Sequence, residues 1–322
     1  MKKILCAVLA LAAMASCSKE YIVAENKQAI AFGEAFVDNG TRADYSTDNE
    51  VSQFLVYGTL TGYYDSVQIF KGAEVERPDD LTTGYNEEKA WLCTETQYWV
   101  PNADYNFIAV VDGELNKDTS GNYLNTINFT VADGEGNLDL LYATASAETD
   151  GNGDVEEGTN SDGLVAFTFD HLLSKVQFTV NNQMQGNYKI QVTGITVTGA
   201  LEDGLYTIED TFENSTWEAT SEDKVPSLTF GTTGLIASTD SAVASATRQI
   251  LPVEQTLNVT INYDIYFGDK KISKATKTGA ITHEFAKKTV YNIVAAITPT
   301  NEIKFTVEAV NGWDNGGNID LQ

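Results

Sequence analysis

Apolar residues recur at every second position through most of this chain. Phe54, Val56, Gly58 and Leu60 make one such run, and Tyr105, Phe107, Ala109 and Val111 another. Val165, Phe167 and Phe169 lead into Val176, Phe178 and Val180. Tyr188, Ile190 and Val192 follow, then Leu257 to Phe267 in alternation, then Ile303, Phe305, Val307 and Ala309. A period of two gathers side chains on one face of a strand, whereas a helix repeats every 3.6 residues. The intervening residues are mostly Thr, Asn, Gln, Lys and Asp, so the sheets are antiparallel, packed on one face and wet on the other. Turn pairs separate the runs at Asp112-Gly113, Asp133-Gly134, Asp203-Gly204, Gly268-Asp269 and Asn315-Gly316. The pattern predicts an all-β protein of β-sandwiches. Only Asn86 to Leu92 and Ser241 to Arg248 read as helical.

A chain of 322 residues exceeds the roughly 250 at which a single core stops growing. Apolar content is weakest from Ala147 to Asp162, around the acidic Glu148-Thr149-Asp150-Gly151-Asn152-Gly153-Asp154. A boundary there gives an N-terminal sandwich over 29–160 and a C-terminal one over 161–322. Gly231 to Ala246 reads as a long loop. Lys270, Lys271, Lys274, Lys277, Lys287 and Lys288 read as one basic hairpin, either a protected sheet edge or a contact for an acidic neighbour.

The first residues carry export chemistry. Met1-Lys2-Lys3 is basic and Ile4 to Ala13 is apolar, too short for a spanning helix of roughly 20 residues, so 1–16 reads as a signal peptide. Met14-Ala15-Ser16-Cys17 is similar to a bacterial lipoprotein box. It makes Cys17 the lipidated residue and 17–28 a tether, with ordinary cleavage after Ala15 as the alternative. Cys6 leaves with the signal and Cys93 stands alone, so the mature chain forms no internal disulfide. Removing Lys2 and Lys3 leaves 18 of the 20 basic residues against 46 acidic ones, and the formal charge moves from −26 to −28. Such a surface repels phosphate backbones and excludes nucleic acid as a partner.

Catalytic motifs do not occur: no Gly-x-Ser-x-Gly elbow, His-Glu-x-x-His zinc motif, phosphate loop or dinucleotide fingerprint. His171 beside Asp170 reads as a structural histidine satisfied by backbone groups. The expectation is no enzyme, no cofactor and no metal. Asp150, Asn152, Asp154 and Glu156 alternate like calcium ligands, but Val155 stands where the loop needs Gly and Ser161 where it needs Glu, so the stretch reads as a solvated acidic linker. Trp91, Trp99, Trp217 and Trp313 read as core or interface residues, with sugar stacking as the alternative. Among the mature arginines, Arg77 precedes Pro78 and Arg248 adjoins Ile250-Leu251-Pro252. Arg42 follows the turn-prone Asp38-Asn39-Gly40-Thr41, where proteolysis concentrates. A plain surface arginine is the other reading.

Ile30, Phe32, Phe36 and Val37 lie on a strand-like run between the tether and Arg42 and read as the four apolar side chains that the run buries. Glu34 breaks its alternation, and a bulge at Gly33 would re-phase it so that Ala35 and Val37 point inward. The run reads as a removable first strand: withdrawing it leaves unpaired backbone groups and an apolar slot that another strand can fill.

These features occur together in one known family. The lipoprotein box, Ile30-x-Phe32 followed by Thr41-Arg42-Ala43-Asp44, Trp99 before Tyr105-x-Phe107-x-Ala109, and Asp139-Leu140-Leu141-Tyr142-Ala143 resemble the fimbrillin-like proteins of Bacteroidia. Phe167-x-Phe169-x-His171-x-Leu173-Ser174-Lys175-Val176-x-Phe178 and Val310-Asn311-Gly312-Trp313 extend the likeness over nearly the whole mature chain. The resemblance implies two tandem transthyretin-like β-sandwich domains and export as an outer-membrane, surface-exposed lipoprotein. It also implies cleavage between Arg42 and Ala43 by an Arg-specific protease, and exchange of the first strand for one from another subunit of a homo- or heteropolymeric fimbria. Donor segments would be Ile303 to Ala309 or the tail Ile319 to Leu321. A surface lipoprotein that binds glycan and does not polymerise, with Tyr63 and Tyr64 in a sugar platform, is the alternative.

Overall fold

The computed structural model describes residues 28–38, 51–62, 66–78, 90–132, 138–161, 163–184, 186–231, 235–236, 242–298, 303–310 and 313. The fold is all-β, with no helix among the described residues. The first sheet runs in the order β1 (Phe32–Val37), β10 (Val165–His171), β8 (Leu141–Thr149), β5 (Ala103–Val111), β2 (Gln53–Gly62), β3 (Val67–Glu76), β4 (Leu92–Cys93). The short β9 (Val155–Glu157) hangs from β8. One five-stranded sheet orders β17 (Ala242–Ala244), β11 (Ser174–Asn182), β21 (Thr289–Ile297) and β22 (Ile303–Val310), with β18 (Arg248–Ile250) also on β11. The other orders β15 (Leu228–Phe230), β12 (Tyr188–Thr198), β19 (Glu254–Phe267) and β20 (Lys270–Glu284), with β16 (Leu235–Ile236) also on β12.

A fourth sheet ties the halves together. It orders β14 (Thr216–Ala219), β13 (Asp203–Thr207), β7 (Tyr123–Thr130) and β6 (Leu115–Lys117). Leu205 pairs with Asn128 and Tyr206 with Ile127. Two strands from before the acidic stretch therefore share a ladder with two from after it, and Ile127 and Phe129 pack in the second core.

Alternation built the two cores as expected. On β5, Tyr105, Phe107 and Ala109 point inward to Phe54, Val56, Phe167 and Phe169. Val176, Phe178 and Val180 of β11 meet Ile190, Val192 and Ile261 in the second core. Each such side chain contributes roughly 1.5–3 kcal/mol when fully buried.

Around the expected boundary, Val165, Phe167 and Phe169 pack in the first core and Leu172 and Leu173 in the second, which also takes Tyr57, Leu115 and Leu140 from earlier in the chain. Two sequence expectations need correction. The acidic stretch is a hairpin between β8 and β9, not a linker. The Asp150 carboxylate accepts the N–H groups of Asn152 and Asp154 at 2.8 and 2.9 Å, so it serves the turn. The helical reading also fails: Leu92 lies in β4, Ala242 to Ala244 form β17 and Arg248 begins β18. Pairing with β3 and β11 decided those short segments, because tertiary pairing outweighs weak local propensity. Asn86 to Lys89 and Ser241 lie outside the described residues.

Candidate functional site

The first strand occupies the end of the first sheet. β1 runs parallel to β10, with Phe32 opposite Val165, Ala35 opposite Phe167 and Val37 opposite Phe169; the other pairings in that sheet are antiparallel. The register shifts between Phe32 and Ala35, where Gly33 and Glu34 together oppose Ala166. Glu34 sits at φ +54°, a left-handed conformation of the kind found in some bulges. The interruption in alternation at Glu34 therefore marks a real bulge, and it turns Ala35 inward.

Ile30, Phe32 and Ala35 are buried, and Val37 packs against the same core from a half-exposed position. Phe36 differs from its sequence assignment. The bulge puts it on the opposite side from Ala35, half-buried and outside the core. Phe32 is the centre of the cluster, with Phe70, Phe107, Phe167 and Phe54 rings at 5.3, 5.8, 6.0 and 6.5 Å. Because β2 and β3 stand far from β1 in sheet order, these contacts show the sheet rolled so that its two ends face across one core. Gly58 on β2 makes room for this: a Cβ there would lie 2.8 Å from the Phe70 ring.

The outer side of β1 is held differently. Ile30 N–H donates to Gln97 O and Trp99 N–H to Gln28 O, at 2.9 and 3.1 Å. Trp91 N–H donates to Phe32 O and Val51 N–H to Ala35 O, at 2.9 and 3.0 Å. These are isolated bonds from three separate segments, in contrast to the eight-residue ladders that join β2 to β5 and β5 to β8. Burial of Ile30, Phe32 and Ala35 holds β1 by about 4–7 kcal/mol as an upper estimate.

Lys288 secures the strand's exit. Its Nζ donates to Asp38 Oδ2 at 2.7 Å and also to Asp170. Burial alone lowers its pKa, but the hydrogen bonds and charges of Asp170 and Asp38 outweigh that, and the net shift is upward. Lys287 points elsewhere, donating to the carbonyls of Phe212 and Ser215. Neither belongs to the exposed basic hairpin, which keeps Lys270, Lys271, Lys274 and Lys277 on β20, at a sheet edge. Nothing in the sequence pairs Asp38 with a lysine 250 positions away.

His171 has a carboxylate among its partners, which the sequence did not indicate. Its Nδ1 lies 3.1 Å from Asp139, and Trp313 stacks on its ring at 4.1 Å while donating Nε1–H to the same carboxylate at 3.2 Å. Lys175 covers the Trp313 ring, 4.4 Å from its centre. Burial lowers the His171 pKa, with Asp139 pulling the other way. Trp91, Trp99 and Trp313 are buried, and Trp217 donates to Leu172 O. No group of three or more His, Cys, Asp or Glu suited to a metal occurs among the described residues. Cys17, Arg42, Ala43, Tyr63, Tyr64 and the tail Ile319 to Leu321 lie outside the described residues. Ile303 to Ala309 lies in β22, paired to β21.

Three solved structures are similar to this chain. A proposed cell adhesion protein from Bacteroides ovatus has 12% identity and a TM-score of 0.52, covering 91% of this chain and 100% of its own. A proposed adhesin from Bacteroides thetaiotaomicron has 10% identity, a TM-score of 0.44 and coverage of 89% and 99%. The tip fimbrial protein of Porphyromonas gingivalis, with a C-terminal truncation, has 8% identity, a TM-score of 0.40 and coverage of 89% and 100%. No curated protein matches the sequence. The model of a family described as fimbrillin-like matches residues 41–313, and the chain therefore belongs to the fimbrillin-like family.

Proposed function

We propose that the chain is a structural subunit of a surface fimbria that contributes to adhesion. It is exported as an outer-membrane lipoprotein on Cys17, cut between Arg42 and Ala43 by an Arg-specific protease, and assembled when another subunit's strand replaces β1. The observation that carries this reading is the seating of β1. It fills a large aromatic slot yet has a ladder to β10 alone, and that ladder is parallel, short and bulged. Parallel pairing is slightly weaker per residue than antiparallel, so an incoming antiparallel strand gains on the original. A donor with apolar residues at alternate positions would restore both the backbone bonds and the ring contacts.

Supporting the choice of Arg42, Arg248 is only 8% exposed and Arg77 precedes a proline. The burial of three tryptophans disfavours the alternative in which they form a sugar platform. Limited digestion with an Arg-specific protease tests the proposal: the fragment up to Arg42 is released and the remainder becomes larger than a monomer. Polymers formed by protease-treated Arg42→Ala protein would refute the assignment.

A further inference from the structure

A cleft of about 650 Å³ opens on the outer face of the first sheet, away from β1, where β7 and residues 208–210 rise beside β2, β5 and β8. Its volume lies within the roughly 300–1,000 Å³ of small-ligand sites. Sheet register organises its floor. Thr59 pairs with Asn106 and Asn106 with Ser146, so three short polar side chains form one row across neighbouring strands. Tyr57, Ile108 and Thr144 form the next row by the same pairings. Adjacent strands lie about 4.8 Å apart, so the donors and acceptors of a row are spaced across the width of a sugar ring.

The walls are fixed before any ligand arrives. The Gln68 side chain donates to Tyr123 O at 3.0 Å and accepts from Tyr123 N–H at 3.2 Å, which pins β7 against β3. Tyr57 and Tyr123 pack edge to face, with ring centres 4.7 Å apart. The side chains of Thr59, Asn106 and Ser146, with Asn125 on β7, are not spent on hydrogen bonds within the described residues. Glu209 and Asp210 stand at the rim as exposed carboxylates.

We infer that this cleft binds a neutral oligosaccharide. Hydroxyl and amide groups on a rigid floor match the paired hydroxyls of a sugar, and tyrosine supplies apolar edges. Rim carboxylates accept from hydroxyls but repel sialic and uronic acids, as does the chain's net charge of −26. An apolar ligand would leave the floor's polar groups desolvated and unpaired. The site names the chemistry of the adhesive role proposed above, yet uses none of the displaced strand, so it is tested on uncut protein.

The probe is an array of neutral oligosaccharides with sialylated counterparts, followed by calorimetric titration of the best neutral member. The full chain binds neutral members and rejects the sialylated ones. Asn106→Ala and Ser146→Ala each weaken binding roughly tenfold, as expected for one lost hydrogen bond. Both residues are exposed, so the variants keep the parent melting temperature. Asn106→Trp, which fills the floor, abolishes binding. Binding to no member, equal binding of sialylated sugars, or affinity unchanged in all three variants overturns the inference. None of those outcomes bears on whether Arg42 is cut or whether the chain polymerises.

Discussion

Replacing Phe32 with alanine separates the uncut subunit from the assembled one. The ring is 0% exposed and meets four phenylalanines carried by four strands, β2, β3, β5 and β10. Phe→Ala in a core costs about 3–5 kcal/mol, with the higher values where neighbours cannot collapse into the gap. Rings held by four different strands cannot converge, so the expected loss is about 4 kcal/mol. That is a large part of a stability of roughly 5–15 kcal/mol. Guanidinium unfolding of the uncut chain, followed by tryptophan fluorescence, reads this as a lower midpoint at unchanged slope. Trp91 and Trp99 lie in the same core and report on it. After cleavage and assembly the variant becomes indistinguishable from wild type, because residue 32 has left with the released fragment. A loss below about 1 kcal/mol in the uncut chain would mean that the strand is not seated as described. A difference that persists in the polymer would mean that β1 is never displaced.

Other perturbations probe the seat and its surroundings. Lys288→Met removes the Lys288 contact to Asp38 and speeds release of the N-terminal fragment by an Arg-specific protease, read by a digestion time course; an unchanged rate refutes a clamp at the exit. A lysine whose pKa is raised on folding contributes stability that is complete below its unfolded value and is lost as pH rises through the folded one. Fragment release therefore also quickens in alkaline solution above the ordinary lysine range. Gly158→Ala destabilises by about 2 kcal/mol or more in chemical unfolding, since Gly158 has φ +96° and an added Cβ would stand 1.9 Å from Ser146 O. His171 has a folded pKa below its unfolded value, so its contribution is complete above about pH 6.5 and is lost as pH falls through the folded pKa. His171→Phe flattens the melting temperature against pH in that window, and an unaltered profile would show that another group controls it.

Much of the fold could be read because its signal is local. Tyr105, Phe107 and Ala109 declare their inward face by spacing alone, and the break at Glu34 declared the bulge. Short segments were misread for the same reason: Arg248 to Ile250 carries too few residues for its period to show, and only β11 makes it a strand. The acidic run from Glu148 to Glu157 looked like a linker because composition reports solvation and not pairing; Asp150 spends its carboxylate on a turn. Phe36 was placed inside because a bulge can be inferred from sequence more easily than its phase. The Thr59–Asn106–Ser146 row could not be found at all, since three residues from three distant strands meet only through register.

The order of residues alone determined the all-β class and the inward faces, because each depends on neighbours a few positions apart, and composition alone set the acidic charge. Only the tertiary structure decided that β1 lies parallel to β10, that Lys288 reaches Asp38, and that β6 and β7 share a sheet with β13 and β14. Those outcomes balance the entropy of closing long loops against burial and pairing summed over the whole chain, and no local window contains that sum.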